Sequence, residues 1–256
     1  MRTSHLTIWR KVCETKSKLT DEDIFATGHY AAYLTDLAEA ATKRYKRFIQ
    51  VLCVWDPENP ENVAATDNHS IHINAANFLT QSFPTRILRS DSIIGLIGHE
   101  TGHILYTDFA QVELYQQHLV NGRFYPKEPP ANTTTDRLNF TEIDNCLKNK
   151  DEIALPIILN TLHSIHNILE DVYIEARMCE QFPGTFRTGI LLNNQRFPEM
   201  IPSLTTQIQR GDYPYTIALN LLIHYCKTGD INNLYSYTGP FLDFLYDCIP
   251  IIDDCV

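Results

Sequence analysis

The sequence predicts a mainly helical α+β protein with a small early sheet, and three observations lead there. Apolar residues recur at helical spacing through most of the chain. Alternating or β-branched apolar runs are confined to the stretch before about residue 75. The Gly-rich phosphate loop and the GxSxG elbow, which mark common parallel-sheet enzymes, are both missing from the sequence.

Taken in order, Thr20-Asp21-Glu22-Asp23 is a capping signal, and Tyr30, Leu34, Leu37 and Ala41 follow at helical spacing. This predicts a helix from about residue 20 to 47. It ends in a basic cluster, Lys43, Arg44, Lys46 and Arg47, which suits the negative end of a helix dipole. Ile49 to Trp55 reads as a buried strand, broken by the turn Asp56-Pro57-Glu58-Asn59-Pro60. In Ala64 to Asn74, Ile71 and Ile73 alternate with Ser70, His72 and Asn74, the period of a half-exposed strand. Ser90 or Asp91 can cap the next helix, with helical sequence continuing to about Val120. Residues 122–135 are rich in Pro and Thr and read as a loop. A long helix follows from about Glu152 to Glu180, bent near Pro156 and stopped by Phe182-Pro183-Gly184. Shorter helices are expected near 200–209, 214–227 and 239–248.

We read residues 1–256 as a single domain, large enough for a substantial core. The abrupt apolar ending, Ile251 to Val256, suggests the N-terminal part of a longer chain. A hydrophobic share of 44% and a charged share of 20% fit a soluble globular protein. No apolar run approaches the ~18 residues of a membrane span, and the N-terminus lacks a secretory leader. The cytoplasm is the expected location, with no membrane partner. A net charge of −10 argues against nucleic acid as partner, because duplex binding needs clustered cations. The seven cysteines never form CxxC, so they are expected to be reduced and mostly buried.

The chemistry concentrates in His99-Glu100-Thr101-Gly102-His103, an HExxH motif. On a helix, residues four apart share a face, so both imidazoles can reach one tetrahedral metal. Glu100 then lies beside the ion as a general base, and zinc can bring the pKa of its water to about 7. Ile93, Ile94, Leu96, Ile97, Ile104 and Leu105 make the helix apolar, where polar groups without partners are costly. Satisfied core histidines are the competing reading. Gly95, Gly98 and Gly102 weaken a helix, which predicts close approach of another backbone.

This segment resembles the active-site helix of zincin metallopeptidases. It is not the metzincin version, because Tyr106 and Phe109 stand where that pattern has Gly and His. The resemblance therefore implies a gluzincin-like third ligand, an acid from a downstream helix packed across the first. Asn167 to Glu175 supplies the candidates. Glu170 is favoured for its longer reach, with Asp171 as the alternative; a solvated acidic face is the competing reading. In the family, an acid four residues after the ligand often orients a histidine. Here position 174 is Ile, whereas Asp171 and Glu175 keep that spacing with the acid types exchanged. His166 and Tyr173 could assist a ligand or an oxyanion.

Thr66 to Asn74 is similar to a T-D-G-x-x-apolar-x-apolar-N stretch that precedes HExxH in metallopeptidase domains found upstream of von Willebrand A modules in bacterial and phage proteins. Asn68 stands in place of Gly, and both tolerate left-handed turns. The resemblance covers roughly residues 64–180. It implies a zincin-like fold, with the metal helix beside the small sheet and Thr66–Asn74 offering an edge to an extended peptide. It also implies one Zn²⁺ held by His99, His103 and Glu170, peptide or protein substrates, and a von Willebrand A-type module as partner. Glu100 would deprotonate the attacking water and hand the proton to the leaving amine. A non-catalytic, zinc-stabilised interaction module is the alternative, and hydrolysis of a non-peptide amide is a third reading.

Overall fold

The computed structural model describes residues 4–45, 48–124, 126–231 and 239–255, the side chains of residues 17 and 255 excepted. The chain runs α1 (His5–Lys18), α2 (Glu22–Phe25), α3 (Gly28–Thr42), β1 (Gln50–Val54), β2 (Ala64–Thr66), β3 (Ser70–Asn74), α4 (Phe78–Gln81) and α5 (Arg86–Tyr106). It continues with α6 (Phe109–Val120), α7 (Thr134–Asn149), α8 (Ala154–Gln181), α9 (Thr185–Met200), α10 (Leu204–Arg210), α11 (Pro214–Thr228) and α12 (Pro240–Cys255). The expected class, mainly helical α+β with a small sheet, describes this architecture. Among the described residues, no helix is long and apolar enough to cross a membrane.

The chain divides into two compact units. Residues 1–105 with 174–201 form the first, and 106–173 with 202–256 the second. The boundary cuts α8 between Tyr173 and Ile174.

In the first unit, the helix expected over 20–47 is two helices. Thr20 and Asp23 form the anticipated cap, each bonding the other's backbone amide. Thr27 then interrupts, its hydroxyl accepting from Tyr30 N to start α3. The helix stops at Lys43, whose φ of 58° is left-handed. Lys46 and Arg47 of the basic cluster lie outside the described residues.

β3 is the central strand, parallel to β1 and antiparallel to β2. This corrects the expected open edge at Thr66–Asn74: β3 is paired on both sides, and β2 (Ala64–Thr66) and β1 form the borders of the sheet. The whole stretch could not be one strand because Asp67 to His69 turn. Asp67 accepts from the amides of His69 and Ser70, at 2.9 and 2.6 Å, and Asn68 takes a φ of 71°. Those backbone bonds hold the Asp67 carboxyl down to a pKa of about 2. Ile71 and Ile73 are buried as expected, with Val51 and Cys53 beside them. α3 packs on β1, where Thr35 accepts from Val51 N at 3.1 Å. Asn74 is buried rather than half-exposed. Its side chain bonds Asp56 N and the carbonyls of Asp56 and Asn59, which pins the turn after β1.

α5 begins earlier than either expected cap, after Pro84-Thr85, with Thr85 accepting from Leu88 N. Arg86 and Arg89, on successive turns of α5, both bond Asp21. Helical sequence was expected to run on to Val120. Instead α5 ends at Tyr106, and Asp108 caps a separate α6 by accepting from Gln111 N.

In the second unit, α7 occupies a stretch with no expected helix. Thr133 and Asp136 form its capping box. Pro156 lies at the start of α8 rather than inside it. Asp151 accepts from the amides of Ile153 and Ala154 to open the helix, so Pro156 falls in the first turn, where its missing N–H costs nothing. α10, α11 and α12 bury Leu204, Ile217, Leu221, Leu242 and Leu245 together. The six cysteines with described side chains are free thiols, exposed at Cys13, buried at Cys53 and half-buried at the rest. Burial pushes the Cys53 thiol up to about 12.

Candidate metal centre

α5 carries HExxH as an unbroken helix. Residues 99 and 103 therefore stack one turn apart, their rings edge-on with centroids 4.9 Å apart. Ile93, Ile94, Leu96, Ile97 and Ile104 are buried around them, and Glu100 is only 5% exposed.

The three glycines bring other helices close. A Cβ on Gly95 would overlap the backbone of Gly189 on α9, and one on Gly189 would overlap Gly95 in return. Gly98 lies against Phe186 and Ile190, and Gly102 against Ile174 and Met178 of α8. The expected close backbone approach is therefore the Gly95–Gly189 contact.

That packing sets a carboxylate against the motif. Glu175 of α8 is 7% exposed, and its Oε1 lies 2.8 Å from His99 Nδ1. Its Oε2 accepts from Asn194 Nδ2 of α9 at 2.6 Å. With Glu175 ionised, the carboxylate only accepts and the proton in the first bond belongs to His99 Nδ1. The neutral ring then presents the Nε2 lone pair, the arrangement that metal-ligating histidines adopt.

One turn before Glu175 on the same helix stands Asp171. His99, His103 and Asp171 each offer one ligand atom, and these atoms all lie within 4.8 Å of one another. Donors about 2.0–2.2 Å from a tetrahedral zinc lie roughly 3.4 Å apart. Small side-chain rotations would close the group on an ion, and two imidazoles with one carboxylate form a donor set that zinc accepts. The residues fit the metal.

Glu170, favoured as the third ligand from sequence, is not in this group. Its Oε2 lies 3.8 Å from Nδ1 of His166, one turn back along α8. Neighbours on a helix point about 100° apart, so only one of Glu170 and Asp171 can share the face of Glu175. Of the two, Asp171 keeps the four-residue spacing to Glu175. Tyr173 is 41% exposed.

The sequence reading missed α9 altogether, and with it Gly189, Asn193 and Asn194. Its signal is the helical spacing of Phe186, Ile190, Asn193 and Phe197. No family model matches this chain, and no curated protein or solved structure matches it either.

Proposed function

We propose that this chain is a zinc-dependent hydrolase of peptide bonds, with a zincin-like arrangement of α5 and α8. The observation that carries the reading is the convergence of His99, His103 and Asp171 ligand atoms within 4.8 Å, with Glu100 next to the first of them in the chain. Among the described residues the group numbers three protein ligands, the count catalytic zinc sites use, whereas structural sites close with four. Zinc bound there supplies Lewis acidity, lowering the pKa of a water to about 7 and polarising a carbonyl.

The remaining roles belong to the chain. His99 and His103 donate ring nitrogens, and Glu175 fixes the ring of His99 through Nδ1. Glu100 accepts the proton of the attacking water, then returns it to the amine nitrogen as the C–N bond breaks.

The test is Glu100→Gln, measured by zinc content and by cleavage of a mixed peptide library. The variant should hold one zinc per chain and lose about 10²–10⁴-fold in hydrolysis. Equal cleavage by variant and wild type would remove Glu100 from the mechanism.

A further inference from the structure

The two adjacent asparagines of α9 have different partners. Asn193 is buried and donates Nδ2 to the carbonyl of Ser92 at 2.9 Å, holding α9 to the backbone of α5. It stands beside the Gly95–Gly189 contact, where a Cβ on Gly95 would also meet its amide. Asn194, about 100° round the helix, donates instead to Oε2 of Glu175 at 2.6 Å. The other oxygen of that carboxylate accepts from His99 Nδ1 at 2.8 Å. Three residues on three helices thus form one directed chain, Asn194 to Glu175 and His99 to Glu175, with the carboxylate accepting at both ends.

We infer that Asn194 is a positioning residue for the metal centre: by holding Glu175, it fixes the tautomer and ring angle of His99 and so sets how tightly the site binds zinc. This rests on the metal-binding reading above. A carboxylate that is 7% exposed needs donors to hold its direction. Without the amide of Asn194, Glu175 keeps its bond to His99 but loses the amide bond on its second oxygen, which holds the carboxylate less firmly. The imidazole then samples the tautomer that places its proton on Nε2, which cannot ligate. Partners of metal-bound histidines of this kind are worth about 10–100-fold in metal affinity.

Three variants separate positioning from packing. Asn194→Leu keeps the size and removes the donor, Asn194→Asp sets a second acid against Glu175, and Asn193→Ala removes the neighbouring bond to α5. Zn²⁺ affinity is measured by competition with a chromogenic chelator, alongside the melting temperature of the metal-free chain. Both Asn194 variants should bind Zn²⁺ about 10–100-fold more weakly, while the metal-free melting temperature of Asn194→Leu stays near wild type. Asn193→Ala should do the reverse, melting earlier yet binding Zn²⁺ like wild type well below its transition.

The second readout is the tautomer of His99, taken from long-range ¹H–¹⁵N NMR on the metal-free chain. Wild type should show the Nδ1–H form, and Asn194→Leu a mixture of the two. Wild-type affinity together with an unmixed tautomer in Asn194→Leu overturns the inference. If wild type itself takes up no Zn²⁺, the metallopeptidase reading falls, and the tautomer measurement still decides what Asn194 does to His99.

Discussion

Carboxylates that look interchangeable in the sequence do different work here, and the partner decides which. Asp171 converges with two imidazoles, Glu170 pairs with His166, and Glu175 bridges His99 and Asn194. Asp21 shows the same logic outside the site. Its side chain is 9% exposed, and burial alone would raise its pKa. Hydrogen bonds and charge from Arg86 and Arg89 outweigh that, leaving it below the usual 3.8. A depressed folded-state value means the pairing stabilises the protein fully above about pH 4 and fades as pH falls through the folded value. Asp67, held at about 2 by backbone amides, behaves the same way in the same window. We therefore expect the wild-type melting temperature to drop steeply between about pH 4 and 2. Asp21→Asn should start lower at pH 7 and lose less over that range. Parallel pH profiles of the two proteins would remove Asp21 from this account.

At the level of elements, helix-on-helix contact through glycine is what places the site. Gly95 and Gly189 touch backbone to backbone, so alanine at either position must force α5 and α9 apart. Gly95→Ala should cost about 3 kcal/mol or more, at the upper end of core overpacking. Gly28→Ala, with open space around it and a helical position, should be neutral or stabilising by up to about 1 kcal/mol. Chemical denaturation reads both, and a Gly95→Ala chain as stable as wild type would contradict the contact. The sequence made α5, β1, Ile71 and Ile73 on one buried face, and most of α8 legible, because periodicity and capping chemistry are local. It left open which acid faces the histidines, since that depends on how α8 is rotated when Ile174 and Met178 pack on Gly102. The pairing of β3 on both sides was equally hidden, because strand order is set by distant segments. α7 and α9 were missed for another reason. Their start signals, Thr133 with Asp136 and Gly184 before Thr185, sit inside stretches whose Pro and Gly content reads as loop.

Over the whole molecule, the division into two units leaves HExxH, Glu175 and α9 in the first. The α8 boundary falls between Tyr173 and Ile174, so Asp171 and Glu175 lie on either side of it on one continuous helix. The functional reading therefore reduces to whether His99, His103 and Asp171 together hold one divalent cation. Zinc content per chain by native mass spectrometry, on protein stripped with chelator and reloaded with one equivalent of Zn²⁺, tests this most directly. The account predicts one zinc in wild type and in Glu170→Gln, and none retained in His103→Ala or Asp171→Asn. A wild-type chain that takes up no zinc, or an Asp171→Asn chain that keeps it while Glu170→Gln loses it, would contradict the account.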